Sequence, residues 1–201
     1  MIKETNKKKE RINHILEAAT CLFSEKGYAN VTVQEIADRA GLNKATLYYH
    51  MESKEELLFS IFDTICSLLI RKFREVMERP ISPAQKLKEI IYAYLASLSE
   101  HPQAFRVFVS EGRELKGNHQ KHIHRECNLM IRIVEEILHE GVEKGIFSLP
   151  DITTATLAIL GMCNWAAHWL PSHQELPIED VCQSFFYLVT QGILSTRSSF
   201  P

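Results

Sequence analysis

Val31–Lys54, VTVQEIADRAGLNKATLYYHMESK, decides the fold. Thr32 is a good helix N-cap, and Glu35 stands three positions on, the spacing of a reciprocal capping box. Val31 before the cap and Ile36 after it are placed to staple the start of the helix. Ile36, Ala37 and Ala40 line one face. Gly41 follows at once, where a helix ends in a left-handed residue that glycine adopts cheaply. Asn43 then caps a second short helix, KATLYYHM. Its Leu47 points inward, while Lys44, Thr46, Tyr48 and His50 stay largely in solvent. A small residue at 37, glycine at 41 and leucine at 47 is the spacing of a helix-turn-helix. Its second helix is then free to enter a DNA major groove. The same turn also serves a plain hairpin inside an all-α core, so the flanking residues must decide.

Those flanks extend the pattern to FSEKGYANVTVQEIADRAGLNKATLYYHMESKEEL, Phe23–Leu57. Over this stretch the chain resembles the tetracycline-repressor (TetR) family of bacterial transcription regulators. The Gly-Tyr before the first short helix, the LYYH run and the lysine of SKEEL carry the resemblance. Beyond the N-terminal quarter the likeness lies in the helical layout alone. The family fold implies a three-helix DNA-binding head followed by a helical ligand-binding and dimerisation core.

Outward from the head, the apolar spacing is helical throughout. Ile12, Ile15, Leu16, Ala19, Leu22 and Phe23 mark a helix over Glu10–Lys26 that ends at Gly27. Met1–Lys9 reads as a basic arm ahead of it, either solvated or reaching phosphates. Ser53 and Glu56 form a second capping-box pattern, opening a helix to about Arg79 and so roughly 39 Å long. Ser82-Pro83, His101-Pro102 and Asp151 start further helices. Gly112–Asn118 reads as a polar loop. The last two helices cover Ile152–Leu170 and Ile178–Thr196. The expectation is an all-α chain of about nine helices, with no strand period and no internal repeat. Residues 1–54 form the helix-turn-helix DNA-binding domain and 55–201 the ligand-binding and dimerisation domain, joined through the long helix.

The composition does not by itself advertise a nucleic-acid binder. The chain has 201 residues, 45% of them hydrophobic, enough for a sizeable core. Its net charge of −2 conceals a basic head and an acidic remainder, and a local basic patch suffices for phosphate contacts. Five widely spaced cysteines without a C-x-x-C pair read as reduced, mostly buried thiols of a cytoplasmic protein. No signal-peptide core appears, and no apolar run approaches the ~20 residues of a membrane span. There is no G-x-S-x-G, H-E-x-x-H, P-loop or G-x-G-x-x-G, which argues against an all-α lipid or thioester enzyme. No cofactor is called for. A protein-protein adaptor would leave the Lys44–His50 pattern without a use.

Base-edge reading falls to Lys44, Ala45, Thr46 and Tyr48, with Asn43 at the cap. Tyr49 and His50 are placed for the sugar-phosphate backbone, and Thr32, Val33 and Lys54 stand at helix starts. The family resemblance implies that Thr32, Val33, Lys44, Ala45, Tyr48, Tyr49, His50 and Lys54 contact DNA. One head is too small for tight specific binding, so two heads of a homodimer on a near-palindrome are expected. Trp165, Trp169, Phe185, Phe186 and Val189 on the last two helices are the expected interface. Phe62, Cys66, Phe105, Phe108, Met130, Met162, Cys163 and Trp165 are the candidate lining of an apolar effector site, against the plainer reading of ordinary core. Gly161–Pro171, GMCNWAAHWLP, is similar to the penultimate helix of TetR-family regulators that respond to acyl-CoA thioesters, and Arg106 or Arg132 would then meet the phosphates. His119, His122 and His124 cluster before or at the start of a helix. They read as a solvated loop rather than a metal site.

Overall fold

The computed structural model describes residues 2–173 and 175–193, and among them the chain is all-α. Nine α-helices follow one another: α1 (Ile2–Lys26), α2 (Val33–Arg39), α3 (Lys44–His50), α4 (Lys54–Met77), α5 (Pro83–Glu100), α6 (Pro102–Ser110), α7 (Gly117–Glu143), α8 (Ile152–Trp169) and α9 (Ile178–Ile193). Short 3-10 turns lie at Tyr28–Asn30, Gly112–Glu114 and Leu170–Ser172. No described helix is long and apolar enough to cross a membrane. The tail of the expected last helix, to Thr196, lies outside the described residues.

Local capping explains most boundaries. Thr32 and Glu35 form the expected reciprocal box at α2, and Ser82 and Gln85 form another at α5, with Pro83 in its first turn. Asp151 accepts the Thr154 amide at 2.7 Å to start α8. At α4 only half the expected box forms. Ser53 Oγ accepts the Glu56 amide at 3.0 Å, but the Glu56 carboxylate accepts from the Glu52 amide at 2.6 Å instead of reaching Ser53. Such caps stabilise a helix by about 0.5–2 kcal/mol each.

Two expectations change. Helix α1 begins at Ile2, so the segment expected as an arm continues its first turns. Lys, Glu and Thr there permit helix, and their charge is not a signal for coil. Helix α7 begins at Gly117, so His119, His122 and His124 are helical and not in a loop.

The contacts divide the chain into two compact units. One holds residues 1–66 and 103–124; the other holds 67–102 and 125–201. In the first, Ile15, Ala19, Leu22 and Phe23 of α1 are buried with Ile36, Ala37 and Leu47 of the helix-turn-helix. Burying each large apolar side chain contributes about 1.5–3 kcal/mol. In the second, α5 packs on α8 and α9, and Leu87, Ile90, Leu95, Val134, Ile137 and Ala166 are buried. Lys86 on α5 reaches Glu140 on α7 at 2.9 Å, and Tyr94 on α5 donates a hydrogen bond to Asn164 on α8.

Candidate nucleic-acid interface

The turn between α2 and α3 is a Schellman motif. Gly41 has φ +65. The Leu42 amide donates to the Ala37 carbonyl at 2.9 Å and the Gly41 amide to that of Asp38 at 3.1 Å. That pattern satisfies the carbonyls left over at a helix end. Leu47 of α3 and Ala37 of α2 are both buried, as the spacing requires. Beyond the turn, Asn43 Oδ1 accepts from the Thr46 amide at 2.8 Å and from the Thr46 hydroxyl at 2.9 Å. Asn43 and Thr46 therefore spend their polar atoms on shaping the start of α3.

What α3 leaves to solvent is a compact polar and aromatic face. Lys44 and Ala45 are exposed, Tyr48 is 47% exposed and Tyr49 79%. The Lys44 ammonium lies 5.9 Å from the centre of the Tyr48 ring. Both tyrosines project outward; neither packs beneath the head. Lysine offers three donors to base acceptors or phosphate, and tyrosine offers a hydroxyl on an apolar ring.

The remaining expected DNA contacts sit differently. His50 is half-buried against the edge of Tyr49, and both of its ring nitrogens are buried with no partner among the described residues. Thr32 binds Glu35 through its amide and its hydroxyl, each at 2.8 Å from Glu35 Oε2. Lys26 closes on Glu35 Oε1 at 2.7 Å. The Lys26 hydrogen bond first, then those from Thr32, hold the Glu35 carboxyl at about 2. Val33 is half-buried. Lys54 does not project freely: its ammonium donates to the carbonyls of Tyr28 and Val31 at 2.8 Å each. On the flank of the head, Arg39 reaches Glu25 at 3.4 Å and the Cys21 sulfur at 2.7 Å, a bridge that the sequence pattern did not disclose.

The expected effector residues fall into two groups. In the first unit, Phe62, Cys66 and Phe105 are buried and Phe108 half-buried. The Phe108 ring lies 5.1 Å from that of Phe62 and 6.4 Å from that of Phe105. In the second unit, Met130 and Cys163 are buried and Met162 half-buried. Trp165 is 66% exposed and faces solvent, not the interior of its unit.

Of the expected interface residues, Trp169 and Phe185 are half-buried with rings 6.2 Å apart. Phe186 is half-buried beneath Lys88, and Val189 is buried within the unit. The apolar side chains left outside are Leu157 and Trp165 of α8 and Tyr187 and Leu188 of α9, each more than half exposed. Leu157 and Leu188 are among the apolar residues that the sequence places on the last two helices, while Tyr187 was not singled out. On α8 the spacing Leu157-Gly161-Trp165, four residues apart, is the signal that marks the exposed face.

Two histidines of α7, His119 and His122, are engaged. His119 lies 3.3 Å from Glu55, and His122 lies 2.8 Å from Asp63. Phe59 stacks on His119 at 4.3 Å and meets His122 edge-on at 5.4 Å. Among the described residues no group of three or more histidine, cysteine or acidic side chains converges as metal ligands would. His124 is exposed.

Comparison with known proteins adds an independent line. Residues 15–61 match the family of bacterial regulatory proteins called tetR, and residues 80–193 match the tetracyclin repressor-like C-terminal domain. The HTH-type transcriptional repressor KstR2 of Mycobacterium tuberculosis strain H37Rv is 24% identical over 186 residues, covering 91% of this chain and 92% of that protein. The crystal structure of the TetR family transcriptional regulator PfmR from Thermus thermophilus superposes with a TM-score of 0.82 at 30% identity, covering 89% of this chain and 97% of that one. AibR, solved in complex with isovaleryl coenzyme A and operator DNA, superposes with a TM-score of 0.81 at 24% identity, covering 89% and 97%.

Proposed function

The chain belongs to the tetR family of bacterial regulatory proteins, and from that premise we propose that it is a cytoplasmic, homodimeric repressor released from its operator by a small apolar effector. The observation that carries the reading is the outward face of α3. Lys44, Ala45, Tyr48 and Tyr49 stand together in solvent on a helix fixed by Asn43, Gly41 and Leu47. Lys44 and Tyr48 read base edges, and Tyr49 reaches the sugar-phosphate backbone. Residues 1–54 act as the DNA-binding domain and residues 55–201 bind effector and partner.

Two heads on one near-palindromic site require a dimer. The exposed Leu157, Trp165, Tyr187 and Leu188 supply an apolar face for it. Repression follows the likeness to KstR2. An acyl-CoA thioester is the effector class we favour. Its support is the GMCNWAAHWLP stretch of α8 and the likeness to AibR, whose own ligand is isovaleryl coenzyme A. The effector need only favour a head spacing that does not fit DNA. A coupling of about 1–3 kcal/mol lowers operator affinity about 5- to 150-fold.

The test is fluorescence anisotropy of a labelled duplex taken from upstream of the protein's own gene. Protein is added first, then a long-chain acyl-CoA, with free coenzyme A as control. Binding followed by release by the thioester alone is the expected result. Binding without release would move the effector class elsewhere. No binding to this duplex, nor to any sequence from a random-sequence selection, would end the DNA reading.

A further inference from the structure

The helix-turn-helix leaves α1 through the Tyr28–Asn30 turn and rejoins the fold at Lys54, the first residue of α4. Lys54 Nζ donates to the Tyr28 carbonyl and to the Val31 carbonyl, both at 2.8 Å. The same ammonium lies 4.1 Å from the centre of the Tyr28 ring. The two acceptors stand 26 and 23 positions back along the chain. One side chain therefore joins the beginning of the helix-turn-helix to its end.

An ammonium has three N–H donors and no acceptor. Two of these are taken by the carbonyls, and the third side of the group meets the face of an aromatic ring, a favourable site for a cation. No donor remains for a phosphate oxygen. The surroundings suit this role. Burial, the larger influence, pulls the Lys54 pKa below the usual lysine value, while Glu114 and Glu35 act to keep it charged.

We propose that Lys54 is a positioning residue, a clasp that closes the helix-turn-helix at its base and sets the angle at which α3 meets DNA, without touching phosphate itself. The inference rests on the DNA-binding function above and replaces only the part expected of this lysine. Its logic is preorganisation. A loop tied at both ends has less freedom to lose on binding, so the tie appears as affinity. The broader consequence is that any displacement of the first turn of α4 is handed directly to the backbone just ahead of α2.

The experiment separates the clasp from a phosphate contact through salt. Operator affinity is measured for the full chain, Lys54→Met and Lys54→Gln between 50 and 200 mM salt, well below the melting temperature of each. Methionine keeps the apolar stem and loses every donor; glutamine keeps two uncharged donors. The expected result is a loss of about tenfold for K54M, the scale of one charge-assisted hydrogen bond, with the slope of log affinity against log salt unchanged. K54Q should lose less, at the same slope. A slope shallower by about 0.9 per head would identify a released counterion and overturn the proposal. Full affinity in K54M would overturn it as well. If K54M does not fold, the slope of K54Q decides alone. If the unaltered chain binds no DNA, it is the DNA-binding function that has failed.

Discussion

Replacing Gly141 with alanine sets two well-defined effects against each other. Gly141 lies in the last turns of α7, and a Cβ built there falls 2.0 Å from Cδ2 and 2.3 Å from Cε2 of Phe147. The Phe147 ring is buried. The glycine carbonyl also accepts the amides of Ile146 at 2.8 Å and Phe147 at 3.1 Å. With Gly145 at φ +67, this is the Schellman end of α7, so the backbone that carries Phe147 cannot slide away. Helix propensity alone favours alanine by about 0.8–1 kcal/mol. Against it, forcing a methyl into a packed core costs about 1–3 kcal/mol. Expelling the ring altogether costs about 3–5 kcal/mol, the scale of a Phe→Ala truncation. At a separation of 2.0 Å the ring must leave its place, so the larger cost governs and the net is a destabilisation of about 2–4 kcal/mol. At about 2–4 °C per kcal/mol for a chain of this size, the melting temperature falls by roughly 4–16 °C. The assay is thermal and urea unfolding at one fixed protein concentration, since association adds to apparent stability. The same substitution in a Phe147→Ala background supplies the control. There the methyl meets no ring, and G141A should be neutral or stabilising. A neutral or stabilising G141A in the unaltered chain would refute the reasoning, because propensity would then have outweighed a contact that the structure makes impossible.

Three further outcomes can be checked. Lys44→Ala should weaken operator binding by about 1–3 kcal/mol, flatten the salt slope by about 1 per head and relax sequence preference at one position, read by anisotropy on a panel of duplexes; equal loss on every sequence would reduce Lys44 to a backbone contact. Glu35 should titrate near 2 by carbon-13 NMR, held down by Lys26 and then Thr32. Its folded value is depressed, so the capping box contributes fully above the unfolded value of ~4.3 and is lost as pH falls through about 2; a midpoint near 4.3 would mean the carboxylate is unpaired in solution. Trp165→Glu should convert a dimer to a monomer by sedimentation and abolish tight operator binding, because two exposed indoles placed at an interface would each contribute about 2 kcal/mol or more; an unaltered dimer would move the interface off α8.

What could be read in advance was what the chain decides locally. Thr32 with Glu35, Gly41 and Asn43 act on amides and carbonyls within five residues of themselves, so their spacing states their role. Leu47 and Ala37 are buried because a helix with one apolar stripe has only one way to face its neighbour. The Lys54 clasp left no such mark. Its acceptors are main-chain carbonyls, which every residue carries, and they lie 23 and 26 positions away. The solvated-loop reading of His119 and His122 failed for a related reason. The first turns of α7 are polar, so the apolar period that betrays the helix begins only at Ile123, and the partners Glu55 and Asp63 are 64 and 59 residues distant.

Helices α8 and α9 show the limit of periodicity itself. A stripe can be located only against a polar background, and Ile152–Trp169 offers almost none: its charged face is missing, and alanine, leucine, tryptophan and isoleucine recur around the whole helix. An amphipathic reading then cannot say which apolar side chain faces the core of its own chain. On α9 the neighbours Leu188 and Val189 look equivalent, yet one is mostly exposed and the other is buried. The choice is made by α5, which packs against α9 from a distant place earlier in the chain. Burial by α5 uses up one side of each helix, and the apolar residues it leaves over, Leu157, Trp165, Tyr187 and Leu188, are those a soluble monomer has no use for. The excess apolar character that blurs the sequence pattern is thus the same property that calls for a second surface to cover it.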